Sequence, residues 1–179
     1  MRINQLVWQH GSMAALISVI ISLVAYIIGV ELLVGWQTGV AQAILIITTM
    51  VIVSRAIRTN EGGFISFWRI FSHIMIAVIC ILFASVLFNV LLFQVINPDL
   101  LDVVLDISLE KAEDMMKGFG LEGDLLEETM KETEKEIRNG YTLAGSIKGV
   151  IYGSIFWGLI ALIVAATHYK IDNSKQTFN

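Results

Sequence analysis

Three histidines have the most versatile chemistry in this sequence. His10, His73 and His168 each stand beside a long apolar run, and the order of those runs places all three at the same membrane surface. Imidazole titrates near neutral pH and binds transition metals, so converging histidines could hold zinc or relay a proton. Their spacing along the chain does not enforce convergence. We therefore predict no metal site and no cofactor, and keep His73 and His168 as candidate polar sites.

Polar residues within or beside the apolar runs are a second set of candidates. Asn89 lies one helical turn after Ser85, and Gln42 lies in a neighbouring run. Such groups usually form hydrogen bonds to adjacent helices. Glu31 stands at the end of the first run, close enough to the membrane surface for its carboxylate to reach water. We keep Glu31 and Asn89 as candidate polar sites.

Carboxylates recur every three or four residues after the third apolar run, which places them on one face of a helix. Converging carboxylates can bind a divalent cation, but a single helical row diverges, and the sequence has no EF-hand spacing. A solvated helix face is the ordinary explanation of such a row. An acidic face also suits a basic protein partner. The candidate partner surface consists of Asp99, Asp102, Asp106, Glu110 and Glu113.

The motifs of common enzyme classes are missing from the sequence. It has no nucleophile elbow, no H-E-x-x-H pair and no glycine-rich phosphate loop after a strand, so we predict no catalytic residues. The net charge of −4 comes from one acidic segment and argues against nucleic-acid binding, which needs a basic face. Cys80 is the only cysteine, which excludes an internal disulfide.

Long uncharged runs dominate the composition. Hydrophobic residues make up 56% of the 179 residues and charged residues 16%, with a mean hydropathy of +0.74. A helix needs about 20 apolar residues to cross the hydrocarbon core of a bilayer. Membrane strands would be shorter and would alternate polar with apolar residues. We predict an all-α membrane domain over residues 1–179, a four-helix bundle with spans at about 13–34, 39–55, 70–96 and 147–168.

The basic residues predict how the spans are oriented, because lysine and arginine concentrate in short cytoplasmic loops. The N-terminus, the connection between spans two and three and the C-terminal tail all carry them, whereas the turn between spans one and two carries none. Both termini should therefore be cytoplasmic, and the acidic segment should lie outside. The residues used are Arg2, Arg55, Arg58, Arg69, Lys170 and Lys175.

Small residues form stripes along the first and last spans. Their steps of three and four keep them on one helix face, where they let neighbouring backbones approach closely. The stripes serve either packing within the bundle or homodimerisation, and packing within the bundle is the simpler interpretation. The helix-packing residues are Gly11, Ala15, Ser18, Ser22, Ala25, Gly29, Gly145, Gly149 and Gly153.

The segment at 97–140 is predicted to be an extracytoplasmic helical hairpin. Asn97-Pro98 resembles an N-cap followed by proline at the first helical position. The first helix should end at Gly118 or Gly120, and the second should run from Asp124 to Arg138.

Two stretches resemble a known family. The chain reads Thr-Asn-Glu-Gly-Gly-Phe-Ile-Ser-Phe-Trp-Arg-Ile-Phe at residues 59–71 and Asn-Pro-Asp-Leu-Leu-Asp at residues 97–102. A charged helical segment, Gly140-Tyr141 and a glycine-rich last span follow in order. This arrangement resembles a bacterial family of four-span membrane proteins called domain of unknown function forty-one ninety-nine. The resemblance implies the inner membrane and the same four-span layout, but no activity and no catalytic residues.

A small integral membrane protein without a catalytic motif fits two functions, and a third class, a membrane-embedded enzyme acting on lipid, stays open without a motif to support it. It can be a non-enzymatic accessory or interaction subunit that contacts a protein partner, or a second copy, with the acidic hairpin as the contact surface. Alternatively, it transports an ion or small solute. Transport would require Glu31, Gln42, Asn89 and the histidines to line one cavity.

Overall fold

The computed structural model describes residues 3–169, with side chains from residue 5 onward. Arg2, Lys170 and Lys175, which entered the orientation argument, lie outside the described residues. The described part is helical almost throughout. Its elements are α1 (Ile3–Ile28), α2 (Val30–Leu33), α3 (Trp36–Asn60), α4 (Phe67–Leu91), a π-helical turn (Leu92–Ile96), α5 (Leu100–Gly118), α6 (Gly123–Gly140) and α7 (Leu143–His168).

Four of these helices are long and apolar enough to cross a membrane. The candidate spans are Gln5–Ile28, Trp36–Asn60, Phe67–Ile96 and Leu143–His168. The protein is an all-α membrane four-helix bundle with an extramembrane helical hairpin between the third and fourth spans. α1 ends at Ile28 rather than continuing to Val34, because the extended backbone of Gly29 separates it from α2.

The first core cluster lies where α3 and α4 meet. α4 packs against α1, α3 and α7, and α3 also contacts α1 and α7. The largest fully buried side chains of this cluster are Met50, Ile57, Ile70, Ile74 and Ile81. Lipid tails are as apolar as these side chains, so close van der Waals packing, rather than the hydrophobic effect, must hold the spans together.

The outer faces of the spans are apolar and exposed. Ile27 on α1 is 72% exposed, Phe83 on α4 63%, and Ile163 on α7 66%. Apolar patches this extensive are rare on proteins that are surrounded by water. In a bilayer they are solvated by lipid, while the helices satisfy their own backbone hydrogen bonds.

A second core cluster joins the bundle to the hairpin. Phe88, Leu92 and Phe93 at the end of α4 pack with Leu100 and Val104 at the start of α5. Partly buried residues of α1, α2 and the α6–α7 connection complete the cluster. We call this end of the bundle the hairpin end. The opposite end, where Phe67 of α4 meets Tyr169 at a ring distance of 6.2 Å, is the terminal end.

The hairpin begins differently from the sequence prediction. α5 starts at Leu100, after a turn closed by Leu100 N–H on the Asn97 carbonyl at 3.2 Å. Asn97 is not its N-cap, so that prediction was wrong. Its side-chain amide instead donates to the Tyr26 hydroxyl at 3.4 Å. A contact with α1 has replaced the local cap.

Glycine ends α5 as the sequence predicted. Gly120 has a positive φ of +83°. Its N–H bonds to the Lys117 carbonyl at 2.9 Å, and Leu121 N–H bonds to the Met116 carbonyl at 3.1 Å. This pair of bonds is the Schellman motif, which satisfies carbonyls left free at a helix C-terminus.

Candidate functional site

A cluster of hydrogen-bonded polar side chains lies between α1, α3 and α4. The Ser18 hydroxyl donates to Gln42 Oε1 at 2.8 Å. Gln42 Nε2 donates to the Ser18 carbonyl at 2.9 Å and to Ser22 Oγ at 3.2 Å. Ser85 Oγ lies 2.9 Å from Ser18 Oγ, so the cluster reaches α4. These bonds satisfy polar groups that would otherwise face an apolar interior.

A cavity of about 400 Å³ opens beside this cluster. It extends from the hairpin end toward the middle of the bundle, between α3, α4 and α7. Its lining mixes polar and aromatic side chains with aliphatic ones from α2, α3 and α4, and no charged side chain lines it among the described residues. The polar and aromatic lining residues are Ser22, Thr38, Gln42, Ser85, Asn89, Phe93, Tyr141 and Trp157.

Two polar groups in this cavity have no partner within residues 5–169. The Asn89 carboxamide and the Tyr141 hydroxyl line the cavity and form no side-chain hydrogen bond there. The Tyr141 ring packs on Phe93 at a centroid distance of 4.5 Å. Burial raises the pKa of the Tyr141 phenol. The phenol therefore stays protonated at neutral pH and presents a hydrogen-bond donor to the cavity.

The structure separates the residues that the transport hypothesis needed together. Gln42 and Asn89 line one cavity, but Glu31 is exposed on α2 and lies outside it. The His73 imidazole bonds to the Arg69 carbonyl in its own helix, and His168 Nδ1 lies 3.0 Å from the Val164 carbonyl. Among residues 3–169, no three histidine, cysteine or acidic side chains are grouped as metal ligands.

The small residues of α1 face the bundle. Ser18 is fully buried, and Ala15 and Ala25 are nearly so. A Cβ at Gly11 would lie 3.3 Å from the Ala77 Cα, so α1 and α4 approach each other closely there. Ser22 bonds to Gln42, and Gly29 lies at the break after α1 with open space around it.

The small residues of α7 have mixed surroundings. A side chain at Gly145 would collide with the Asn139 carbonyl, and a Cβ at Gly153 would contact Leu82 of α4 at 3.5 Å. Gly149 faces open space. α7 begins at Leu143 because the Thr142 hydroxyl caps it, accepting from Gly145 N–H at 3.1 Å.

The acidic row of α5 is largely solvated. Its first four members are exposed and Glu113 is half-buried. Asp102 forms an ion pair with Arg138 of α6 at 3.6 Å, and Glu113 forms one with Lys117 at 2.6 Å. Asp99, Asp106 and Glu110 have no ion-pair partner within the described chain. The carboxylates do not converge on a cation site there.

An apolar surface at the hairpin turn is a feature that the sequence reasoning missed. Met115 is 64% exposed, Phe119 79% and Leu125 61%. We call these three residues the hairpin tip. Their positions could have been noticed from the sequence, because they flank Gly120 and Gly123, the two glycines with positive φ in the turn of the hairpin.

Comparison with known proteins identifies a family but no activity. A family model described as a protein of unknown function, DUF4199, matches residues 9–168. Neither the curated proteins nor the solved structures contain a match to this chain. The family match covers most of the chain, including the hairpin, three of the candidate spans in full and the first from residue 9 onward. The protein therefore belongs to the DUF4199 family.

Proposed function

We propose that this protein is a non-enzymatic accessory subunit that binds a basic protein partner through its hairpin. The observation that carries the proposal is the exposure of Met115, Phe119 and Leu125 at the turn of an otherwise charged hairpin. Exposed apolar groups rimmed by polar residues are typical of protein interaction sites. The hairpin lies outside the candidate spans, so a transmembrane position does not account for this exposure.

Charge supports a basic partner. Residues 99–140 contain thirteen of the sixteen acidic residues and five of the twelve basic ones, which gives this segment a net charge of −8. Only four of those thirteen carboxylates form ion pairs within the described chain. The remaining nine attract a positively charged surface and would accelerate its association at low ionic strength.

The hairpin is anchored well enough to present its tip at a defined place. Leu100, Val104 and Leu105 of α5 are each at most 3% exposed, and the first two belong to the second core cluster. α5 also packs against α2 and α6. A pre-ordered surface loses less conformational entropy on binding than a flexible segment does, which favours affinity.

We also propose the orientation and the location that follow from the sequence. The termini lie in the cytoplasm of a bacterial cell and the hairpin lies outside its inner membrane. Arg55, Arg58 and Arg69, in or beside the connection at the terminal end, support this orientation. The orientation can be tested by cysteine labelling with a membrane-impermeant reagent, in cells that express the Cys80→Ser variant carrying one new cysteine. Asp114→Cys should be labelled in intact cells, and Thr59→Cys only after lysis; the reverse pattern refutes the orientation.

Photo-crosslinking in membranes tests the partner. A photoreactive residue at Phe119 of the full-length protein should yield one discrete adduct with a protein that is basic in the contacting region. Leu125→Glu should abolish this adduct, and raised salt should weaken it. The same probe at the exposed Glu132 on α6 serves as the positional control. Adducts only with lipid, or only with a second copy of this chain, would refute the proposal.

A further inference from the structure

We propose that the cavity between α3, α4 and α7 is a binding site for an electrically neutral, hydroxyl-rich group, namely a sugar or polyol. The inference rests on the lining of the cavity and does not depend on the hairpin's partner. A cavity of about 400 Å³ lies within the size range of small-molecule sites, about 300–1,000 Å³.

The cavity supplies hydrogen-bonding groups that the protein itself does not use. The Asn89 carboxamide offers both a donor and an acceptor, and the Tyr141 hydroxyl can donate or accept. Thr38 donates its proton to the Leu32 carbonyl at 2.6 Å, so its oxygen can still accept from a ligand. Polar groups in a cavity that have no protein partner favour a ligand that can pair with them.

The described lining of the cavity is uncharged. No Asp, Glu, Lys, Arg or His lines the cavity among the described residues. A charged ligand would lose part of its hydration there without meeting an opposite charge, which is unfavourable. A neutral hydroxyl group exchanges its bonds with water for bonds to amides and hydroxyls.

The lining combines one immobilised amide with aromatic rings. Gln42 is immobilised by its bonds to Ser18 and Ser22, so the polar wall is preorganised. Trp157, Phe93 and Tyr141 supply flat apolar surfaces beside it. A sugar ring presents C–H groups on its faces and hydroxyls at its edges, which matches such a mixed lining. Trp157 lies within α7, away from the membrane interface where tryptophan is usually found.

Binding to the intact purified protein in nanodiscs tests the site with three probes. Free glucose and glucosyl-diacylglycerol share the neutral sugar and differ in the lipid anchor, and phosphatidylglycerol is the anionic control. We expect saturable binding of at least one sugar probe, with no saturable binding of phosphatidylglycerol at the cavity. Binding of free glucose would indicate a water-borne ligand, whereas binding of only the glycolipid would indicate a lipid headgroup.

Substitutions of lining residues test whether the sugar binds in the cavity. Asn89→Leu keeps a similar volume and removes the amide, so it should weaken sugar binding about tenfold, as expected for one lost hydrogen bond that leaves its ligand partner unpaired. Tyr141→Phe is the milder second variant and should weaken binding several-fold. Gln94→Leu removes an exposed amide outside the cavity and should bind as the wild type does. Equal binding by Asn89→Leu and wild type, no sugar binding, or preference for phosphatidylglycerol would overturn the proposal.

Discussion

Ser18 and Gln42 share two hydrogen bonds across the interface between α1 and α3. The Ser18 hydroxyl donates to Gln42 Oε1 at 2.8 Å, and Gln42 Nε2 donates back to the Ser18 carbonyl at 2.9 Å. Ser18 has no exposed surface, so neither lipid nor water reaches its hydroxyl, whereas Gln42 also lines the cavity. Reciprocal bonds of this kind specify which faces of two apolar helices meet, a choice that nondirectional packing leaves open.

Gln42→Leu should therefore lower the free energy of unfolding in detergent by about 1 kcal/mol, a typical value for a hydrogen bond between membrane helices. Gln37→Leu provides the matched control, because Gln37 lies on the same helix and is exposed. Circular dichroism during denaturant titration measures both. If Gln42→Leu and Gln37→Leu lowered the free energy of unfolding equally, the hydrogen bonds between Gln42 and α1 would not contribute to stability.

Gly11→Leu should disrupt the contact of α1 with α4, because a Cβ alone would lie 3.3 Å from the Ala77 backbone. Forcing a larger side chain into a close helix contact lowers stability by about 1–3 kcal/mol. Gly149→Leu on α7 meets open space and should be neutral or stabilising, since leucine favours helix more than glycine does. Thermal unfolding in one detergent compares the variants; a stable Gly11→Leu protein would contradict the packing.

Gly120→Ala should lower the stability of the hairpin by about 1 kcal/mol, because alanine is strained at a φ of +83°. Hydrogen exchange should become faster in the last turn of α5. Gly118→Ala, two residues earlier and inside the helix, should slow exchange or leave it unchanged. Unchanged exchange in Gly120→Ala would show that the Schellman motif does not hold the turn.

The ion pair between Asp102 and Arg138 should contribute less than about 1 kcal/mol, because both side chains are more than half exposed. The coupling energy of this pair is nevertheless useful, because it reports how α5 packs against α6. A double-mutant cycle with Asp102→Asn and Arg138→Gln should give a small favourable coupling that high salt removes. The exchanged pair, Asp102→Arg with Arg138→Asp, should recover only part of it, because Arg138 also pairs with Glu134 at 3.6 Å and an aspartate at 138 would repel that carboxylate. A zero coupling at low salt would contradict the observed pairing.

Raised pH should destabilise the protein through Tyr141. Burial raises the pKa of its phenol, so the folded state holds the proton more tightly than the unfolded state. Its contribution is fully present below the unfolded pKa of about 10 and is lost as pH rises through the folded pKa. The free energy of unfolding should thus fall above about pH 10. It should fall less steeply in the Tyr141→Phe variant than in the wild type. Phenolate absorbance checks the titration, and a Tyr141 pKa at or below 10 would contradict it.

The element types and their order were predictable from the sequence, because hydropathy acts locally. A run such as Ile70 to Ile96 must be helical in lipid, since only a helix satisfies the backbone of an isolated segment there. The residues at which the helices begin and end were less predictable. α1 begins well before Met13, because Gln5, Gln9 and His10 interrupt an apolar run without interrupting a helix.

Contacts between residues far apart in the sequence determined the features that the sequence did not predict. Asn97 follows the pattern of a helix cap, yet its amide reaches Tyr26, because a partner supplied by α1 competes with the local backbone. From the sequence, Ser18 and Ser22 were predicted only to be small residues that allow close helix packing. In the structure their hydroxyls form hydrogen bonds with Gln42 of α3. The cavity at Asn89 and Tyr141 likewise exists only where helices converge. Spacing along one helix defines its faces, but the face that meets a neighbour is chosen by the packing of the whole bundle.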